Sequence, residues 1–147
     1  MTEIRKKTVQ GLKIGDIFSI SRTFTKEDVL AFARISRDEN PVHSNAEFIK
    51  LKGFNGPICH GLLVASMLTE IGGQIGWLAS KMDLKFIRPV YVNETIECSM
   101  EIVSIDAENR AKADVRFKNS RSDIVLVAEL HGILPNNREQ QVLGKLI

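Results

Sequence analysis

The run Gly61-Leu-Leu-Val-Ala-Ser-Met-Leu-Thr-Glu-Ile71-Gly72 decides the fold. Its apolar residues continue nearly all the way round a helical wheel, and a helix without a polar face belongs in the middle of a protein. Carried on to Gly76, it predicts one helix of roughly 24 Å. Gly72, Gly73 and Gly76 either allow close packing or mark a frayed end. The longest apolar stretch, Leu62 to Leu68, falls far short of the roughly 20 residues that span a bilayer. A buried helix, not a membrane segment, is therefore expected.

Downstream of this helix the period changes to two. From Met82, Leu84 and Phe86 alternate with Asp83 and Lys85, and Ile96, Cys98, Met100 and Ile102 alternate with Glu97, Ser99 and Glu101. Ala111, Ala113, Val115 and Phe117 alternate with charged neighbours, and Ile124 to Leu134 forms a last, more apolar strand. Hairpin-sized breaks at Val92–Glu94, Asp106–Asn109 and Asn119–Ser122 separate them. The expectation is four antiparallel strands in succession, a meander with one wet face. Its dry face needs a cover, and the 61–76 helix is the only unclaimed apolar element. An antiparallel sheet wrapped round one long central helix is an α+β hot-dog arrangement.

Upstream, Ile14–Ser21 reads as a first strand, and Lys26–Ser36 as an amphipathic helix with Thr25 as N-cap and Asp28 closing a capping box. That helix must stop before Pro41, which lacks a backbone donor and pushes Asn40 to extended geometry. Arg37–Ser44 is thus an ordered loop, followed by a short helix from about Ala46 to Lys50 capped by Asn45. The tail from Asn136 is polar until Val142 and is either loose or docked on a partner.

The 147 residues fit one domain, with a core of about 11–134 and a tail of 135–147. Twenty Lys and Arg against 18 Asp and Glu leave +2, which makes a nucleic-acid partner unexpected. Hydrophobic residues make up 44% and charged ones 26%, ordinary for a folded chain. Cys59 and Cys98 form no disulfide framework and no paired zinc spacing. The basic start, Met1 to Lys7, leads into Thr8-Val9-Gln10-Gly11 rather than an apolar run, so a secretory signal is not expected and a cytoplasmic location is.

Two motifs bear chemistry: Asp38-Glu39-Asn40-Pro41-Val42-His43 and Pro57-Ile58-Cys59-His60-Gly61. On a helix, residues five apart take different faces, but the Pro41 loop lets Asp38 and His43 turn onto one point. A carboxylate and an imidazole sharing one water make a general base and acid near neutral pH. Gly61 opens the buried helix, where backbone N–H groups are unpaired and attract negative charge, and its missing side chain admits a carbonyl oxygen. The alternative reading of the first motif is purely structural: Asp38 forms a turn with Asn40, and His43 caps the next helix.

Taken together, Asp38-x-Asn40-Pro41-x-His43 and Pro57-Ile58-x-His60-Gly61-x-Leu63-x-x-Ser66 resemble the MaoC-like, (R)-specific enoyl-CoA hydratase family. Leu84-Lys-Phe86-Ile-Arg-Pro89-Val90, with Glu94 and Ile96, is similar to the strand that follows the family's central helix. The resemblance implies a hot-dog homodimer that hydrates trans-2-enoyl-CoA to (R)-3-hydroxyacyl-CoA without metal or cofactor. It matches Asp38 and His43 to the catalytic pair and Gly61 N–H to the donor on the thioester oxygen. Asn40 shapes the loop and His60 supports it, while Thr69, one turn after Ser66, stands where short-chain enzymes carry an active-site serine. Leu62, Leu63, Val64 and Met67 are either an acyl-tunnel wall or core.

Cys59 and His60 are adjacent and do not aim at one point as a nucleophilic pair would, and His131 is read as a strand histidine. Arg88, Lys85 and Lys118 either meet CoA phosphates or are solvated strand charges. Three alternatives stay open: an acyl-CoA thioesterase, a non-catalytic acyl-thioester-binding subunit, and an acyl-carrier-protein substrate in place of CoA.

Overall fold

The computed structural model describes residues 2–146. The chain runs α1 (Glu3–Gln10), β1 (Ile17–Thr23), α2 (Lys26–Ser36), a 3-10 turn (Pro41–His43), α3 (Ala46–Leu51), α4 (Gly61–Ala65) and α5 (Met67–Ile75). Then follow β2 (Leu78–Phe86), β3 (Thr95–Ile105), β4 (Arg110–Lys118), β5 (Ile124–Ile133) and α6 (Asn137–Leu143).

The five strands form one antiparallel sheet in the order β1-β3-β4-β5-β2. The period-two residues do face inward: Ile96, Cys98, Met100, Ile102, Ala113 and Phe117 are fully buried. The expected meander is corrected at its first strand. β2 does not pair with β3 but lies on the far edge against β5, with Leu84 opposite Ala128, while β3 pairs with β1, Ile20 opposite Cys98. Alternation fixes which face a residue takes and says nothing about which strand lies beside it. The first strand also starts later than expected, at Ile17, because Asp16 N–H closes a turn onto the Lys13 carbonyl at 3.1 Å with Gly15 at φ +92°.

The central helix is not one piece. Ser66 N–H is shared between the Leu62 and Leu63 carbonyls, and its hydroxyl donates to the Leu63 carbonyl at 2.5 Å. Thr69 N–H then reaches back only three residues, to the Ser66 carbonyl. Such i→i−3 bonds tighten a turn, and serine hydroxyls that bond the preceding turn bend helices. α4 and α5 therefore meet at Ser66, with Met67, Leu68, Ile71 and Ile75 buried against the sheet. Gly76, left-handed at φ 75°, ends α5, and Trp77 N–H bonds the Gly72 carbonyl at 2.9 Å.

α1 was not expected from the sequence. Thr2 caps it, and Arg5 donates from Nε and a terminal guanidinium nitrogen to the Gln74 and Gly73 carbonyls, a cation on the last turn of α5. α6, in the expected polar tail, carries its own capping box from Asn136 and Glu139 and packs on α1. α2 and α3 follow the sequence: Thr25 and Asp28 form the capping box, and Asn45 Oδ1 accepts from Phe48 N–H.

Candidate active site

The segment after α2 is held by successive backbone-to-side-chain bonds. Arg37 ends the helix in the left-handed region (φ 59°), and Asp38 N–H donates to Ser36 Oγ at 3.1 Å. Asn40 N–H then donates to Asp38 Oδ1 at 3.1 Å, and Asn40 Oδ1 accepts from Val42 N–H at 3.2 Å. Asn40 thus acts as the N-cap of the Pro41–His43 turn, a tight turn where a loop was expected. This hook brings the two candidate side chains together, with Asp38 Oδ2 lying 3.9 Å from His43 Nε2.

That separation is too long for a direct hydrogen bond and leaves room for one water within reach of both atoms. His43 Nδ1 lies 2.7 Å from the Ile58 carbonyl. A carbonyl only accepts, so Nδ1 carries the proton and neutral His43 turns a lone pair on Nε2 toward Asp38. Carboxylate and imidazole are then both acceptors for the same water.

His60 is 1% exposed and stacks on His43, ring centroids 3.7 Å apart and planes 28° from parallel. Its Nε2 donates to the Asp38 main-chain carbonyl at 3.2 Å, and Phe32 packs on it at 4.9 Å. Burial pushes the His60 imidazole below its ordinary pKa, with the Asp38 carbonyl bond opposing and the neighbouring His43 adding to the fall. Nδ1 of His60 is buried without a partner among the described residues. Asp38, His43 and His60 present nitrogen and oxygen atoms within 4.8 Å of one another. Stacked rings aim their lone pairs along nearly parallel planes, so the two imidazoles do not converge on one ion as metal ligands do.

Gly61 is the first residue of α4, and no side chain caps that end. The first N–H groups of a helix have no intrahelical acceptor. A Cβ built on Gly61 would lie 2.6 Å from Phe86 Cε1, so glycine is the residue that lets the β2 ring cover this end.

Two cavities meet at the pair. One, of about 1300 Å³, lies between α2, α3 and the 54–57 and 91–94 segments; the other, of about 620 Å³, lies over the start of α4. Asp38, Asn40, His43 and Phe54 line both. The larger is edged by Lys26, Glu39, Lys50, Asn55 and Asn93, and the smaller is walled by Phe32, Leu62, Val64, Phe86, Val125 and Leu126.

Of the other expected site residues, His60 and Gly61 line the smaller cavity, as do Leu62 and Val64. Leu63 and Met67 are core. Ser66 and Thr69 line neither cavity; the Thr69 hydroxyl is spent on the Ser66 carbonyl at 2.6 Å, and both serve the helix break. Arg88 borders the smaller cavity with NH1 on the Ile124 carbonyl at 2.5 Å, whereas Lys85 and Lys118 line neither. His131 bonds Glu129 at 2.7 Å, far from the pair on the sheet. Sequence reasoning gave no site role to Phe54, Phe86 or the Ile58 carbonyl; Ile58 and Phe86 stand inside the motifs that carry the resemblance, while Phe54 has no local signal. Cys59 is buried, and burial pushes its thiol up to about 11.

A hooked Asp/His pair beside an uncapped glycine-started helix, on a sheet wrapped round that helix, defines a class. The model of the MaoC like domain matches residues 14–123, and the chain belongs to that family and has its hot-dog fold. It is 32% identical over 142 residues to the mitochondrial 3-hydroxyacyl-[acyl-carrier-protein] dehydratase of Arabidopsis thaliana, covering 92% of this chain and 84% of that one. It is 31% identical over 102 residues to the (R)-specific enoyl-CoA hydratase of Aeromonas caviae, covering 67% and 76%. The solved structure of the (R)-hydratase from A. caviae involved in PHA biosynthesis superimposes with a TM-score of 0.81 at 28% identity, covering 86% of this chain and 99% of that one. No described helix is long and apolar enough to cross a membrane.

Proposed function

We propose that this protein is an (R)-specific hydratase of trans-2-enoyl thioesters, reversibly a 3-hydroxyacyl-thioester dehydratase, acting on acyl-CoA in the cytoplasm. The observation that carries the reading is the pair of acceptors, Asp38 Oδ2 and His43 Nε2, 3.9 Å apart where two cavities join. A water donating one proton to each keeps its oxygen lone pairs free for C3 of the substrate. Asp38 takes a proton as the oxygen–C3 bond forms, and the π electrons of C2=C3 move toward the thioester carbonyl. One member of the pair returns a proton to C2, so H and OH are added and the enzyme ends as it began.

Negative charge gathers on the thioester oxygen during this step. The Gly61 N–H at the start of α4 is the donor for it, an arrangement worth about 3–4 kcal/mol where such a donor has been removed. The lining chemistry orients the substrate. The apolar walls of the smaller cavity suit the acyl tail, and the larger cavity, itself mostly apolar but with Lys26 and Lys50 on its lining, suits the amide-bearing arm and its phosphate. Asn40 fixes the carboxylate through its backbone N–H, and His60 holds the loop from below. No step needs a metal or organic cofactor.

A second copy of the chain completes the molecule in this reading. β2 is an edge strand whose Met82 and Phe86 face the core side of the sheet yet stay 43% and 53% exposed. Native proteins rarely leave such an edge bare. The test is loss of enoyl-thioester absorbance with crotonyl-CoA and longer trans-2-enoyl-CoAs, followed by chiral analysis of the product. Formation of (R)-3-hydroxyacyl-CoA supports the proposal; release of free thiol from saturated acyl-CoA without hydration would replace it with a thioesterase.

A further inference from the structure

The wall of the larger cavity carries a carboxylate that the hydration step leaves unused. Cys59 N–H donates to the Val90 carbonyl at 2.7 Å and Val92 N–H to the Pro57 carbonyl at 3.2 Å, with Ile58 opposite Tyr91 in an antiparallel bridge. The chain then turns. Asn93 takes the left-handed region at φ 71°, and Glu94 N–H closes back onto the Tyr91 carbonyl at 3.1 Å. Asparagine is among the few residues that take that backbone readily. Asn93 N–H also holds the Phe24 carbonyl at 2.7 Å, which fixes the turn just ahead of α2.

This turn sets Glu94 into the wall of the cavity that Asp38 and His43 also line. Glu94 Oε2 is closed to solvent and has no hydrogen-bond partner among the described residues. Lys26 and Lys50 line the same cavity, yet neither forms a described salt bridge with it. An acceptor shut away from water without a donor costs free energy, and native structures leave few of them. The last torsion of a glutamate is soft and two-fold, so either oxygen can turn to a donor in the cavity.

We propose that Glu94 accepts an amide N–H of the substrate's thioester arm and so sets the position of the thioester over the Asp38–His43 pair. The inference rests on the arm lying in the larger cavity, as in the proposed function. An amide fits better than the arm's phosphate, which a carboxylate repels and which Lys26 and Lys50 are there to meet. It also fits better than a metal ion, since Glu94 stands outside the cluster of ligand-type atoms formed by Asp38, His43 and His60. The reach is short. His43 Nδ1 bonds the Ile58 carbonyl at 2.7 Å, Ile58 bridges Tyr91, and Tyr91 and Glu94 are the two ends of one turn. Paired strands stand about 5 Å apart and turn ends less than about 7 Å, a span that an extended arm crosses.

The experiment measures hydration of the crotonyl thioesters of CoA, pantetheine, N-acetylcysteamine and ethanethiol by wild type, Glu94→Ala and Glu94→Gln. The ethanethiol ester has no amide. Glu94→Ala is expected to lose at least about tenfold in kcat/KM on the CoA and pantetheine esters, mainly through KM, as for a lost hydrogen bond to a charged group. On the ethanethiol ester it should stay within about twofold of wild type. Glu94→Gln keeps an acceptor oxygen and should recover part of the loss. The N-acetylcysteamine ester carries only the amide nearest sulfur, so a loss there assigns that amide and no loss assigns the farther one. Thermal melts add a readout besides activity: Glu94→Ala should melt no lower than wild type without ligand, and should gain less from free CoA. Equal loss on all the esters, no loss on any, or an unchanged gain from CoA overturns the role of Glu94. Hydration of none of the esters by wild type overturns the proposed function instead. The CoA melts then decide Glu94 alone, a smaller gain in Glu94→Ala upholding the contact and an equal gain overturning it.

Discussion

The imidazole of His60 lies face to face with that of His43 at 3.7 Å while its Nε2 holds the main-chain carbonyl of Asp38 at 3.2 Å. One buried ring thus touches both members of the candidate pair, from behind. Only a neutral His60 fits: a charged ring there would sit against any proton gained by His43, and burial already disfavours its charge.

This sets a pH dependence of stability. The folded-state pKa of His60 is below the ordinary 6.5, so between those values the unfolded chain binds the additional proton. Stability contributed by neutral His60 is therefore present above about pH 6.5 and drains away as pH falls below it. Thermal melts between pH 8 and 5 should show a drop that begins near 6.5 in wild type and is flatter in His60→Gln. An equal slope in the variant would exclude His60 as the source.

Gly61→Ala places a methyl 2.6 Å from the Phe86 ring. Phe86 is half exposed, so the ring can swing aside, and the expected cost in urea unfolding is about 1 kcal/mol, the low end for overpacking. Adding Phe86→Leu should recover that stability. It should not recover hydration, because the methyl still stands at the start of α4 where the thioester oxygen is to be received.

Gly132→Ala meets a harder obstacle. The new methyl would fall on the Leu78 carbonyl, Trp77 Nε1 and, at 2.8 Å, Ala79 Cα, at the bulge where β2 leaves the register of β5. Backbone atoms cannot rotate away as the Phe86 ring does. The expected loss is about 3 kcal/mol or more by urea titration, and a near-neutral result would mean that the β2–β5 bulge is not as described.

Both thiols should be silent in the folded protein. Burial pushes Cys59 up to about 11 and Cys98 up to about 12, so thiolate is scarce at pH 8. A thiol reagent should label neither at an appreciable rate before unfolding, and alkylation should leave activity unchanged. Rapid labelling of Cys59 coupled to inactivation would revive a Cys59–His60 nucleophile.

Much of this architecture is legible in the chain. The buried faces of β3 and β4 follow from strict alternation, and Thr25, Asp28 and Asn45 announce their helices by cap chemistry that is local in sequence. The meeting of Asp38 and His43 follows from Pro41, because a proline inside six residues forces the turn that folds the segment on itself. Strand neighbours are another matter. Nothing within β2 says that it joins β5 instead of β3, since that choice depends on the path of residues 87–94 across the sheet. The break at Ser66 was hidden for a related reason: its cause is one hydroxyl choosing the Leu63 carbonyl, invisible to a periodicity. α1 did carry a signal, Thr2 before Glu3, but its anchoring depends on Arg5 meeting α5 some 68 residues away.

The account stands on Asp38 and His43 acting on one water. Steady-state hydration of crotonyl-CoA by wild type, Asp38→Asn, His43→Gln and the double variant tests this most directly. Each single substitution should lower kcat by about 10²–10⁴-fold, the range for a positioned acid or base. The double should be scarcely slower than the worse single, because groups that serve one proton transfer are not additive. Single variants within tenfold of wild type, or a double loss equal to the product of the two single losses, would contradict it.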